Sequence, residues 1–457
     1  MDEVNQHYLD RVVSMADTTL VEATEDIVSG SGVKLVAKGG RIDGRVRDRL
    51  LEHKLRKPLE SMLRVVGGVA SRPIDRVAED LLARHALLAS LCGPRSARLV
   101  ARALHDLRLS TALESMLSLY AEQGPRHLEH AVGVGLLAAA LGQEWQAPGQ
   151  AAMPTLLVAG LAHDFGELYI DPAILQAGET LTQSQWRHIA AHPVVGARVL
   201  RELAGAGPKV AEAVLHHHER LDGFGYPQAL AGSALPPASQ ALGLAEALMG
   251  ICESGRAPGE RAAIAVKLMP GEFDRHLRDR VAQAAAAVRG SDDAEQRLAP
   301  ADPAALAQQA VALGCALQQV QHEHGGLEAS LQAGSSGLRE LAGRLFERTR
   351  RIHAAFSSTG LDAHPASTLQ QHFAAMDAAQ HGETAIVLRE LQWRLRELAR
   401  ELHSRAAALG GPGADAGDAL RARALLDAFE RAMARCRPAV AAPARHTSDA
   451  RADATAR

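Results

Sequence analysis

Aromatic side chains are scarce in this sequence: three Trp, four Tyr and seven Phe make up 3% of 457 residues. Strands favour aromatic and β-branched residues, whereas Ala and Leu dominate here, so extensive sheet structure is disfavoured. Cysteine is scarcer still. Cys92, Cys252, Cys315 and Cys436 lie far apart with no close pair, which argues against a thiolate zinc knuckle or a disulfide framework. An excess of one charge is also missing. The net charge of -3 implies no global attraction to a nucleic acid polymer or an anionic membrane. Apolar runs such as Ala131 to Gly142 fall short of the ~20 residues that a membrane helix requires. The opening stretch MDEVNQHYLD is acidic and lacks a signal-peptide pattern, so a cytoplasmic protein is expected.

The sequence is rich in apolar residues at helical spacing. Hydrophobic residues reach 47%, enough to build cores, and the length allows about two to four domains of ~100–200 residues each. The expected fold class is mostly α, a helical core flanked by a small N-terminal α+β domain and a C-terminal helical bundle. The only strand signal lies in residues 1–72, where Ile27-Val28, a Ser and Gly turn, and VKLVAKGG read as a hairpin and Asp43 caps a following helix. This segment reads as a regulatory or docking domain. Residues 73–120 place Val77, Leu81, Leu88, Leu99 and Leu104 at helical spacing and read as a connector.

A central domain is expected over residues 121–290 and a helical bundle over 291–436. Asp302-Pro303 opens the first bundle helix, which carries Leu306, Leu313, Leu317 and Val320. A second stripe is Leu338, Leu341, Leu345, Ile352 and Phe356. Leu388, Leu391, Leu395, Leu398 and Leu402 alternate by three and four over about two heptads, which suggests bundle packing or a homodimer contact through these helices. Residues 437–457, rich in Ala, Pro, Arg and Asp, are expected to be disordered.

The chemistry gathers between His130 and Glu246. That stretch holds His130, the doublet His163-Asp164, His192, the run His216-His217-His218-Glu219, and Glu246. Imidazoles from separate helices around one carboxylate are the ligand set that a carboxylate-bridged pair of divalent cations needs. Leu156, Leu157, Val158 and Leu161 form the apolar body of a helix ending at His163-Asp164. Thr182 and Gln185 are spaced as a capping box for the helix that delivers His192. Adjacent helical residues point about 100° apart, so His217 and His218 can approach different cations. His127, one turn before His130, is its alternative as a ligand, while His188 and His216 are expected outside the ligand set.

The segments HAVGVGLLAAALG, HDFGELYIDPAIL, LTQSQWRHIAAHPVVGARVL and HHERLDGFGYP resemble the HD-GYP family, bacterial HD phosphohydrolases that cleave cyclic di-GMP. The resemblance covers roughly residues 121 to 290. It implies His130, His163, Asp164, His192, His217, His218 and Glu246 as metal ligands, with Asp164 bridging two divalent ions, iron or manganese best fitting the donors. His163 and Asp164 are thereby the catalytic pair, serving hydrolysis by a hydroxide shared between the two cations. Arg126, Glu167, Arg220, Asp222, Gly223, Gly225, Tyr226 and Pro227 fall where the family contacts substrate or shapes the nucleotide pocket, and the loop is also a docking surface for signalling partners.

Three departures from the family stand out. Glu167 replaces a lysine that meets a substrate phosphate, an exchange worth a few kcal/mol, or ~10 to 1,000 fold in affinity. Glu246 stands where the family has an aspartate ligand. Arg126 occupies the position at which members with a third metal carry a glutamate, which disfavours a three-metal site and suggests that Arg126 and Glu167 are a reciprocal exchange. The function implied is a metal-dependent phosphodiesterase acting on cyclic di-GMP. The alternatives are a catalytically degenerate module that binds metal or nucleotide as a signalling scaffold, and hydrolysis of another nucleotide.

Overall fold

The computed structural model describes residues 3–69, 74–144, 153–176, 182–253, 257–268, 271–288, 302–409 and 415–435. It is mostly helical, with two small antiparallel sheets of two strands each. The chain forms two compact units, Met1–Pro300 with Arg396–Arg405, and Ala301–Leu395 with Ala406–Arg457.

The expected hairpin is present: Ile27–Val28 pairs with Lys34–Val36, and Asp43 caps the Gly44–Leu51 helix by accepting from the Arg45 amide at 3.0 Å. A second pair, Val21–Ala23 with Leu63–Val65, closes the N-terminal segment. This segment does not stand apart, however. One hydrophobic core runs from Tyr8 through Leu63, Leu88 and Leu117 to Val288, so the boundaries expected near residues 72 and 120 do not separate compact units. The physical reason is that short strands and short helices cannot bury their apolar faces alone.

At the centre of this unit the Met153–Ala162 helix is apolar on every side and buried from Leu156 to Ala162. A helix without a polar face must be enclosed, and the His127–Glu144 helix covers it closely. A Cβ on Gly160 would overlap the Gly135 backbone, so glycine at both positions lets the two helices touch. That contact places the end of one helix, His163-Asp164, beside the start of the other, which carries His130. The capping box of Thr182 and Gln185 is formed, and opens the Gln183–Ala190 helix that leads to His192.

The second unit contains the helices Pro303–Gln332, Ser336–Ser357, Ala366–Ala374 and Ala416–Arg435. Asp302 caps the first, and the stripes Leu306 to Val320 and Leu338 to Phe356 are buried as their spacing suggests. Leu388, Leu391, Leu395, Leu398 and Leu402 are also all buried. Cys315 is disulfide-bonded, which departs from the sequence expectation, because cysteines far apart in sequence can still meet once the chain is folded. Cys92 and Cys252 are buried. The tail 437–457 lies outside the described residues. Among the described residues, no helix is long and apolar enough to cross a membrane.

Candidate metal centre

Three histidines of the site are held by the same device. The last carbonyls of a helix lack intrahelical partners, and an imidazole just beyond the helix can satisfy one of them. His163 places Nδ1 2.8 Å from Gly160 O, His192 places Nδ1 2.8 Å from Ile189 O, and His217 places Nδ1 2.6 Å from Val214 O. Each Nδ1–H is thereby engaged, which turns each Nε2 toward the others. The carbonyl ends of three helices also bring partial negative charge toward the same centre, favouring cations there.

Two groups of donors result. His130, His163, Asp164 and Glu246 offer atoms that all lie within 4.8 Å of one another, as do those of His192, His217 and His218. Asp164 faces both groups. Its Oδ2 is 3.0 Å from His163 Nε2, while its Oδ1 is 3.4 Å from His192 Nε2 and 3.9 Å from His217 Nε2. Glu246 Oε2 lies 2.8 Å from His163 Nε2 and 3.1 Å from His130 Nε2. His192 and His217 bring their Nε2 atoms to 3.2 Å. Buried imidazole nitrogens converging on each other and on two carboxylates are what a divalent cation would satisfy, so the donor set fits the implied metals.

The electrostatics divide the centre in two. Burial opposes charge on His130, but Glu246 and Glu253 outweigh it and push the imidazole up to about 10. Burial likewise opposes charge on His163, and Asp164 and Glu246 raise it well above the usual range. The reciprocal effect holds Asp164 and Glu246 low against burial, through His163 and, for Glu246, also His130. In the other group burial wins. His217 is lowered to about 3 by burial and by neighbouring His192, and His192 and His218 are also lowered, chiefly by burial. One group therefore holds protons that a cation would displace, and the other is already neutral and ready to ligate.

Residues 110–277 match a family model described as HD domain. They are an HD domain. The chain is similar to a cyclic di-GMP phosphodiesterase of Pseudomonas aeruginosa, 35% identical over 125 residues, which make up 27% of this chain and 30% of that protein. It is also similar to a 3'3'-cGAMP-specific phosphodiesterase of Vibrio cholerae, 32% identical over 99 residues, 22% of this chain and 23% of that protein. The chain thus spans less than a third of the length of these curated relatives. Among solved structures, an HDG"Y"P protein of Bdellovibrio bacteriovorus aligns at 18% identity and a TM-score of 0.31, over 48% of this chain and 69% of that one.

Within the HD domain, His130 and not His127 enters the donor cluster; the His127 ring lies edge-on to Tyr120 at 5.0 Å. His188 is exposed, and His216 turns away to Gln228, 3.3 Å from its Oε1. Glu167 faces the cluster and is raised to about 8 by burial and by Asp164. Arg126 is exposed just before the His127–Glu144 helix.

The DGFGYP loop is pinned onto the second donor group. Tyr226 stacks on His218 at 4.6 Å and meets Trp186 edge-on at 5.8 Å. Glu219 accepts from the Gln228 and Leu230 amides at 2.6 and 3.0 Å, and a Cβ on Gly225 would overlap the Glu219 backbone. Gly223 has a left-handed φ of 78°, and Asp222 accepts from the Phe224 amide at 3.1 Å. Arg220 donates to the carbonyls of His217 and Glu219 and lies 5.1 Å over the Phe273 ring, so it braces the loop. Pro227 follows Tyr226 through a cis bond.

Four functional positions escape the sequence pattern. Glu253 lies 3.0 Å from His130 Nδ1 and orients that ring. It stands seven residues after Glu246 on the Pro237–Glu253 helix, a two-turn spacing that would have found it. Tyr120 donates to Asp164 Oδ2 at 3.1 Å, without any local sequence signal. Arg400 and Arg405, from the Arg396–Arg405 stretch of the first unit, meet Trp186 at 4.8 Å and the Gly223 carbonyl at 3.1 Å.

Proposed function

We propose that the chain is a metal-dependent phosphodiesterase that hydrolyses a cyclic dinucleotide, cyclic di-GMP first, using two divalent cations of the iron or manganese kind. The observation that carries this reading is the placement of Asp164, with one carboxylate oxygen turned to each group of donors. Cations bound there would supply Lewis acidity toward the phosphoryl oxygens and lower the pKa of water.

The chain's own residues do the rest. His130, His163 and Glu246 would hold one cation and His192, His217 and His218 the other, with Asp164 shared between them. The carbonyl-locked imidazoles keep their geometry without reorganising during turnover. Tyr120 fixes Asp164 in place. Tyr226, stacked on His218 and met edge-on by Trp186, shapes the wall of the pocket beside the second donor group. Glu167 sets the phosphate affinity low relative to a lysine at this position. Similarity to phosphodiesterases named for cyclic di-GMP and for 3'3'-cGAMP supports the substrate class.

A second reading, a module that binds metal or nucleotide without turnover, draws on the two departures at Glu167 and Glu246. The deciding experiment is metal analysis of protein purified without oxygen, then turnover of cyclic di-GMP and 3'3'-cGAMP by wild type and by Asp164→Ala. Bound metal with Asp164-dependent product supports the enzyme. Bound metal without product supports the scaffold, and absence of metal removes both.

A further inference from the structure

The turn that follows the catalytic pair is gripped by two separate elements. Phe165–Tyr169 is a 3-10 helix directly after Asp164. Gly166 lies against the backbone of His192, so closely that a Cβ there would overlap the His192 carbonyl. The turn is also met by the Gln6–Met15 helix, which precedes the matched HD domain by about a hundred residues of chain. Arg11 of that helix reaches the turn, where its Nη1 donates to Leu168 O at 2.8 Å and to Ile170 O at 3.0 Å. Its Nε donates to Gln123 Oε1 at 3.2 Å. Tyr8, one turn earlier, stacks on Tyr169 with ring centroids 5.1 Å apart and planes 8° from parallel. The Tyr169 hydroxyl in turn donates to buried Glu60 at 2.6 Å, and Asn5 donates to the Tyr169 carbonyl at 3.4 Å.

A short 3-10 turn leaves its last carbonyls without partners, and a planar guanidinium can bind two of them at once. Here one guanidinium nitrogen, Nη1, serves both carbonyls while a second, Nε, holds Gln123, whereas lysine has a single nitrogen for all three. The guanidinium lies in a partly buried position, where burial disfavours its charge and the carboxylates of Glu167 and Asp171 favour it.

We infer that Arg11 is a positioning residue of the HD centre: by holding the Leu168 and Ile170 carbonyls it sets where Asp164 and Glu167 stand. The N-terminal segment is then a working part of the site and the route by which a change in that segment reaches it. This rests on the phosphodiesterase reading for its kinetic consequence, but not for its structural one.

The test uses the full chain with Arg11→Met, Arg11→Lys and, as a packing control on the same helix, Val12→Ala, whose parent side chain is fully buried. Amide hydrogen exchange over residues 165–170 is measured together with kcat and KM on cyclic di-GMP. Arg11→Met is expected to exchange about tenfold faster in that segment, since a freed turn opens locally without global unfolding. It should lower kcat about tenfold with a smaller change in KM, as expected for misplaced catalytic groups. Arg11→Lys should recover part of both losses, and Val12→Ala should lower Tm without either. If Arg11→Met fails to fold, Arg11→Gln takes its place. Unchanged exchange at 165–170, unchanged kcat in an active enzyme, or the same losses in Val12→Ala would overturn the inference. A wild type without turnover defeats the phosphodiesterase reading, and the exchange comparison then decides the role of Arg11 by itself.

Discussion

Glu253 Oε1 stands 3.0 Å from Nδ1 of His130, two helical turns beyond Glu246, which faces the same ring at Nε2. One helix therefore grips the imidazole at both nitrogens, and under the phosphodiesterase reading Glu246 would serve as ligand and Glu253 as orienter. Replacing Glu253 by alanine removes the orienting bond while leaving every ligand atom in place. Metal affinity should fall by about 10 to 100 fold. Competition with a chromogenic chelator measures it, and an unchanged constant would show that the ring is held by packing alone.

Gly166 is a second sensitive point. A methyl group there meets the His192 carbonyl, a backbone atom that cannot rotate aside. Gly166→Ala should destabilise the protein by about 1–3 kcal/mol or more. The same shift separates Asp164 from His192, so bound metal should also decrease, whereas a glycine with open space around it, Gly250, should tolerate alanine.

Charge at position 167 sets substrate affinity under the phosphodiesterase reading. Glu167→Lys replaces an acid that faces the cluster with a cation able to meet a phosphate. KM for cyclic di-GMP should drop by about tenfold or more while kcat changes little, because the cations and their ligands stay in place. A rise in KM would mean that the acid serves the substrate directly.

The pH dependence of the metal-free protein follows from its two unlike groups of histidines. His130, raised to about 10, binds a proton more tightly in the folded than in the unfolded chain, where about 6.5 is usual. Its contribution is complete below pH ~6.5 and is lost as pH rises through about 10. His217, lowered to about 3, acts in the opposite sense: its contribution is present above pH ~6.5 and disappears as pH falls toward 3. Thermal melts in chelator should show greatest stability near neutrality and a decline on both sides. Added manganese should flatten the alkaline limb, because the cation takes the place of the proton on His130 and His163. Equal slopes with and without manganese would mean that the cation does not bind at these histidines.

Much of the site is legible in the order of residues alone. The series His130, His163-Asp164, His192 and His217-His218 is written at the ends of amphipathic or apolar helices, and helix starts carry their own signals, such as the box of Thr182 and Gln185. The hairpin at Ile27–Val28, the Asp43 and Asp302 caps and the leucine stripes of the second unit are equally local in origin.

The sequence by itself determined which residues could ligate and where the helices begin and end, because periodicity, capping and the free carbonyls of helix ends act over a few residues. Only the tertiary structure decided that Arg11 and Tyr8 grip the HD turn, that Glu253 orients His130, and that the N-terminal segment shares one core with the HD domain. Those contacts join positions more than a hundred residues apart, and whether they form depends on how closely whole helices approach. Glycines such as Gly135, Gly160 and Gly166 control that approach through side chains they lack, which leaves no pattern in the sequence to find.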